Sequence, residues 1–321
     1  MSKDQAPGRR DFLKTVGGAL IAGGLLPGEA NAATAPMDDV LNGVIEMHVH
    51  ADPDVRPRSI DQIALARKAQ QMGFRAYMFK GHDWCTADNA YLIRSAVPNF
   101  EVFGGLAMNR THGTAVNPEA AEMAFKISGR YCRCIWMPTY QSAWDTSKEG
   151  LTGGIPVLDS NGKVLPEVVK VMEICGANNA IFATGHSSPA ECVIMAKKAK
   201  EVGIAKFVVT HSTQNIWRLS LDQAKQVVET GGYLEHSFLA ALVGPGSVFP
   251  THARTSVEEM AEYIRIAPEK SFISTDLGQA MMPSPIDGMR AFINGLKKAG
   301  LSGDQIDIAA RKVPAKLLGL D

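Results

Sequence analysis

The sequence predicts an α/β architecture, a (β/α)8 barrel of the TIM type with a small β-hairpin inserted after the fourth strand. Two observations carry this. Eight short apolar runs alternate with longer stretches of mixed apolar and charged residues, the pattern of repeated βα units. Five of the eight histidines stand at, or just beyond, the C-terminal end of one of those runs, where barrels of this kind build their sites. Of 321 residues, 45% are apolar and 21% charged, which excludes a disordered, collagenous or coiled-coil chain.

In chain order, the first segment reads as an address label. Residues 8–14 are Gly-Arg-Arg-Asp-Phe-Leu-Lys, a short apolar run from Thr15 to Pro27 follows, and Ala30-Asn31-Ala32 offers a small-residue cleavage site. Residues 1–32 resemble a twin-arginine signal peptide. This implies export by the twin-arginine translocase to the periplasm, with residues 33–321 as the barrel. The apolar run is shorter and more glycine-rich than the roughly 20 helical residues a bilayer span needs, so a retained anchor is the weaker alternative.

The strands that follow are Val44–His50, Ala76–Lys80, Glu101–Ala107, Cys132–Met137, Ala180–Thr184, Lys206–Thr210, Tyr233–His236 and Ser271–Thr275. Between them Ser59–Gln71, Asn117–Ile127, Pro189–Val202, Ser220–Thr230 and Ser256–Ile264 space their apolar residues as helices packed on one face. Gly150–Val164 breaks the alternation and reads as a hairpin turning at Asn161-Gly162, expected at the barrel mouth. A doubly wound open sheet is the alternative, but no Gly-x-Gly-x-x-Gly turn follows the first strand.

His48 and His50, two residues apart in a strand, point to the same side. His186 follows the fifth strand, His211 the sixth, and Asp276 the eighth. These four imidazoles and one carboxylate are N/O donors suited to zinc, or to iron, manganese or nickel. A packed histidine pair is the plain alternative for His48 and His50, and His211 serves equally well as support behind a ligand. Lys80 and His82 face the mouth by the same parity. Arg56 and Arg58 lie on the loop beyond the histidine pair, where a guanidinium either clamps a substrate carboxylate or stands solvated. Glu235 and His236 end the seventh strand, His236 as a substrate contact or either as a partner of nearby backbone. Five cysteines, at 85, 132, 134, 175 and 192, show no metal-type pairing and are too few for a disulfide scaffold, so they read as mostly buried thiols. With 33 basic and 33 acidic residues the net charge is zero, which gives no electrostatic case for nucleic acid or an anionic membrane. The expected partner is a small-molecule substrate, and a homo-oligomer is compatible.

Together His48-Val49-His50, His186, His211 and Asp276, on the first, fifth, sixth and eighth strands, resemble the amidohydrolase superfamily over nearly all of the chain after the leader. The ending Val313-Pro314-Ala315-Lys316-Leu317-Leu318-Gly319-Leu320 is similar to the Asn-Pro-Ala-x-x-Leu-Gly-Leu closing helix of many members, with Val for Asn. Ala183–Ser188 and Val209–Ser212 resemble an uncharacterised amidohydrolase-like branch. The resemblance implies a metal-dependent hydrolase in which water, its pKa lowered from about 15.7 toward 7, attacks the carbonyl or imine carbon of an amide, lactone or cyclic imide. Asp276 would shuttle the proton and His211 would polarise the group attacked. Two-metal members carry a carboxylated lysine at the end of the fourth strand, but Cys134-Ile135-Trp136-Met137-Pro138-Thr139 has none, so one Zn2+ is expected. Lys80 keeps three readings: a carboxylated bridge between metals, an ammonium for a substrate carboxylate, or a solvated lysine. The rival functions are a lyase or decarboxylase on the same scaffold, a binding protein without chemistry, and a phosphoesterase of the polymerase-and-histidinol-phosphatase type. The last usually ends its site with Asp-x-His where this chain has Asp276-Leu277-Gly278.

Overall fold

The computed structural model describes residues 38–321, and the expected signal peptide over 1–32 lies outside the described residues. Strands β1 (Ile45–Val49), β2 (Ala76–Phe79), β3 (Glu101–Ala107), β4 (Cys132–Trp136), β5 (Ile181–Ala183), β6 (Phe207–Val209), β7 (Tyr233–Ser237) and β8 (Ser271–Ser274) pair in parallel and in sequence order. Each falls within one residue of its expected ends. The seam between β8 and β1 closes just past the strands, where Asp276 N–H donates to His48 O and His50 N–H to Leu277 O, both at 2.8 Å.

The helices are α1 (Gln62–Gln71), α2 (Ala87–Ala96), α3 (Pro118–Lys126), α4 (Ala143–Lys148), α5 (Pro166–Ala177), α6 (Pro189–Glu201), α7 (Leu221–Glu229), α8 (Val257–Ile266) and α9 (Pro285–Lys298). After them come α10 (Gly303–Asp307), a π turn and α11 (Val313–Leu318). Ser188, Ser220 and Ser256 start α6, α7 and α8 with capping boxes answered by Glu191, Gln223 and Glu259. Among the described residues no helix is long and apolar enough to cross a membrane.

Apolar helix faces cover the outside of the sheet, while Met47, Met78, Phe103, Trp136 and Phe272 fill the lower half of the barrel. Val313, Leu317 and Leu318 of α11 pack into that same interior cluster and close the floor. Strand β1 changes face along its length. Ile45 and Met47 belong to the interior and Val49 to the outer layer, and the β1–β2 register shifts between Glu46 and Val49. A bulge of this kind re-aims side chains; here it turns both His48 and His50 to the inside.

The hairpin follows β4 as expected, pairing Leu158 with Val164 around a turn in which Asp159 Oδ1 accepts the N–H groups of Asn161 and Lys163. Ile155, Val157 and Val164 pack in the outer apolar layer, Ile155 is tied by backbone hydrogen bonds to Gln141 and Ala143 beyond the C-terminal end of β4, and α4 lines the cavity on that side.

Candidate metal centre

His48, His50 and Asp276 each bring one donor atom to within 4.8 Å of the others, and all three are buried. Asp276 Oδ1 stands 3.1 Å from both His48 Nε2 and His50 Nε2. Behind His48, Glu235 Oε1 lies 2.7 Å from Nδ1. A carboxylate there accepts the Nδ1–H and turns Nε2 toward the cavity, the arrangement that orients metal-ligating imidazoles. Glu235 is fixed in turn by Ser274 Oγ at 2.7 Å and by the His211 N–H at 3.0 Å.

The backbone beneath this group is held open. Glu46 accepts the His48 N–H and the Thr275 N–H, each at 3.0 Å, and so fastens the bulge of β1 to β8; burial pushes its carboxyl up to about 7. Asp276 and His211 adopt left-handed backbone, φ 54° and 33°, a conformation costly for residues with a Cβ and found where the surroundings over-determine it. Gly278, at φ 125°, passes so near His50 that a Cβ would strike its carbonyl oxygen.

Burial pulls the His48 imidazole down, but Asp276 and Glu235 on either side outweigh it and raise it to about 9. Burial drives His50 the other way, to about 3. Burial also opposes ionisation of Asp276, yet His48 and His50 hold it well below the usual carboxylate range. His50 Nδ1 and His211 Nδ1 are buried with no hydrogen-bond partner among the described residues. This donor set fits a divalent ion bound by nitrogen and oxygen. Lys80, 2% exposed, places Nζ 3.0 Å from His48 Nε2, so it competes with an ion for that nitrogen. Burial lowers its pKa.

Across the mouth, His186 and His211 face the same cavity, with ring centroids 4.9 Å apart and His211 6.0 Å from His48. They stand outside the tight group of three. Asp145 Oδ2 lies 2.5 Å from His186 Nδ1, while Asp145 Oδ1 accepts Trp217 Nε1–H at 2.9 Å. The Trp217 ring packs on both imidazoles, at 4.2 and 4.7 Å. Burial raises Asp145 to about 7 and lowers both histidines well below their usual value.

The cavity above these groups is about 900 Å³, the size of a small-molecule site. His82 lines it, stacked on His50 at 4.9 Å, with Nδ1 2.9 Å from Thr139 Oγ1. Arg56 and Arg58 reach the mouth already engaged. Arg56 donates to Asp83 Oδ2 at 2.9 Å and lies over the Tyr140 ring, and Arg58 sets two bonds on Asp54 Oδ2. His236 corrects the sequence expectation. It alternates with the inward-facing Glu235 along β7, so its ring lies in the outer layer against Ser271, Thr213 and Tyr263, away from the cavity. Sequence reasoning missed Asp145 and Glu46 and undervalued Glu235. Only Glu235 carried a signal, since in a regular strand two adjacent residues face opposite sides.

No curated protein matches the sequence. Residues 43–235 match the model of a family of unknown function, DUF6282. Three solved structures illustrate the likeness in fold. An amidohydrolase from Pseudomonas aeruginosa is 10% identical, with 87% of this chain and 98% of that one covered at a TM-score of 0.58. A dihydroorotase is 13% identical, covering 87% and 70% at 0.56. A 2,6-dihydroxybenzoate decarboxylase, solved with 2,6-dihydroxybenzoate, is 9% identical, covering 87% and 100% at 0.52. At these identities the likeness is one of fold, and that fold serves hydrolases and a decarboxylase alike.

Proposed function

The chain belongs to DUF6282, a family of unknown function, and on that premise we propose that it is a metal-dependent hydrolase acting at a trigonal carbon of a small amide, lactone or cyclic imide. The observation that carries this reading is the convergence of His48, His50 and Asp276, one donor atom each within 4.8 Å, at the C-terminal end of a barrel. His48, His50 and Asp276 would hold one divalent ion, most simply Zn2+, with Mn, Fe or Ni as alternatives, and His186 and His211 would close on it from across the mouth. When bound, the ion lowers the pKa of water toward neutrality and polarises the group under attack.

The remaining work falls to the chain. Asp276, kept ionised by His48 and His50, takes the proton of the attacking water and hands it to the leaving group. Glu235 and Asp145 fix the tautomers of His48 and His186. Lys80 binds an acidic substrate group at the inner end of the cavity. The same reading includes twin-arginine export to the periplasm, supported by Arg9 and Arg10; changing both to Lys should strand the precursor in the cytoplasm.

Elemental analysis of the purified protein should find about one equivalent of transition metal, and a panel of amides, lactones and cyclic imides should yield a hydrolysed product. Two equivalents would overturn the one-metal version and point to carboxylated Lys80. Phosphate release from phosphoesters, or CO2 release from aromatic acids, with no hydrolysis of the panel would replace the reading.

A further inference from the structure

His82 is held by an arrangement that settles which of its nitrogens carries the proton. Asn109 Oδ1 accepts the Thr139 N–H at 3.0 Å, and Asn109 Nδ2 donates to His82 O at 2.8 Å. Two backbone groups thus fix the orientation of the amide, and its NH2 must be the group that faces Thr139 Oγ1 at 2.6 Å. Thr139 is fully buried. Its hydroxyl receives from Asn109, so its own proton needs an acceptor, and among the described residues the one within reach is His82 Nδ1 at 2.9 Å. A proton on Nδ1 would leave the buried hydroxyl without an acceptor, an arrangement folded proteins avoid. Nε2 makes no hydrogen bond among the described residues and belongs to a ring that lines the cavity beside His50 and His186.

We infer that His82 is a neutral Nε2–H donor aimed into the cavity, and that it binds the substrate oxygen on which negative charge gathers as the trigonal carbon is attacked. No proton leaves His82; it lends a hydrogen bond that strengthens as the oxygen becomes more anionic. Thr139 and Asn109 are its positioning residues. The tautomer follows from hydrogen bonding alone, whereas the catalytic role rests on the hydrolase reading, so the two are tested separately.

For the tautomer, the full chain is labelled with 15N-histidine and long-range 1H–15N correlation is recorded at neutral and mildly alkaline pH, with His82→Gln to assign the signals. His82 should show an unprotonated Nδ1 and a protonated Nε2. Thr139→Val should mix the tautomers, and Thr139→Ser should restore the wild-type pattern. A dominant Nδ1–H form in the wild type, or no change in Thr139→Val, overturns the inference. For the role, on any substrate the protein hydrolyses, His82→Leu should lower kcat about 10²–10³-fold, the usual loss of one such donor, with KM nearly unchanged. Unaltered kcat overturns the catalytic role. Protein that shows the expected tautomer but binds no metal and hydrolyses nothing refutes the hydrolase reading and leaves the tautomer standing.

Discussion

The seam between β1 and β8 and the quarter of the mouth formed by β5 and β6 hold the same side-chain types, yet among the described residues only the seam sets two imidazole nitrogens on one carboxylate oxygen. At the seam, His48, His50 and Asp276 share one oxygen at 3.1 Å, because a bulge, a left-handed Asp276 and a glycine that lets the chains touch all occur within a few residues. At β5 and β6, the His186 and His211 rings stand 4.9 Å apart and share the Trp217 ring, and the carboxylate there, Asp145, backs His186 Nδ1. The contrast teaches that a strand end brings a ligand to the mouth, whereas setting two imidazoles on one carboxylate takes a bulge, a left-handed residue and a close glycine together.

The largest effect should come from the seam. His48→Ala with His50→Ala should abolish metal binding while leaving the far-ultraviolet circular dichroism intact, because both side chains lie above the packed floor. His186→Ala should retain part of the metal, and a His186→Ala protein as empty as the double variant would erase the distinction between the regions. Next, Asp276→Asn should keep the fold but lower turnover about 10²–10⁴-fold, the usual worth of a positioned general base; turnover near wild type would remove Asp276 from proton transfer. Third, Glu235→Gln should weaken metal affinity about 10- to 100-fold, measured against a competing chelator, and Asp145→Asn should weaken it less. The reverse order would make the β5–β6 side the true anchor. Smallest, Arg56→Gln should change stability by less than about 1 kcal/mol in thermal unfolding, since its pairing with Asp83 is partly solvated and such pairs contribute little. A larger loss would mean that the loop at Arg56 braces the seam.

The eight strands were legible because each is a short apolar run with polar or glycine punctuation, and the helices because their apolar residues recur on one face. The histidines were legible as mouth residues for the same reason. What stayed hidden depended on partners distant in sequence. Asp145 meets His186 from a short helix that carries no motif, and Glu46 shows its role only once Thr275 arrives from β8. The period of two correctly kept His48 and His50 on one side, but it does not count across a bulge, so it could not tell that Met47 faces inward as well. Applied to Glu235 and His236, the same alternation admits only one of the two to the mouth, and the structure gives that place to Glu235.

Val313, Leu317 and Leu318, packed against the barrel interior, make the chamber a cul-de-sac. Among the described residues, traffic runs both ways through the mouth at the C-terminal ends of the strands. A departing product and an arriving reactant cannot pass each other there, so each visit must end before the next begins. A product that lingers delays the next turnover and lowers kcat, product returning from solution raises the apparent KM, and the loops around the doorway govern throughput as much as the groups at its far end do.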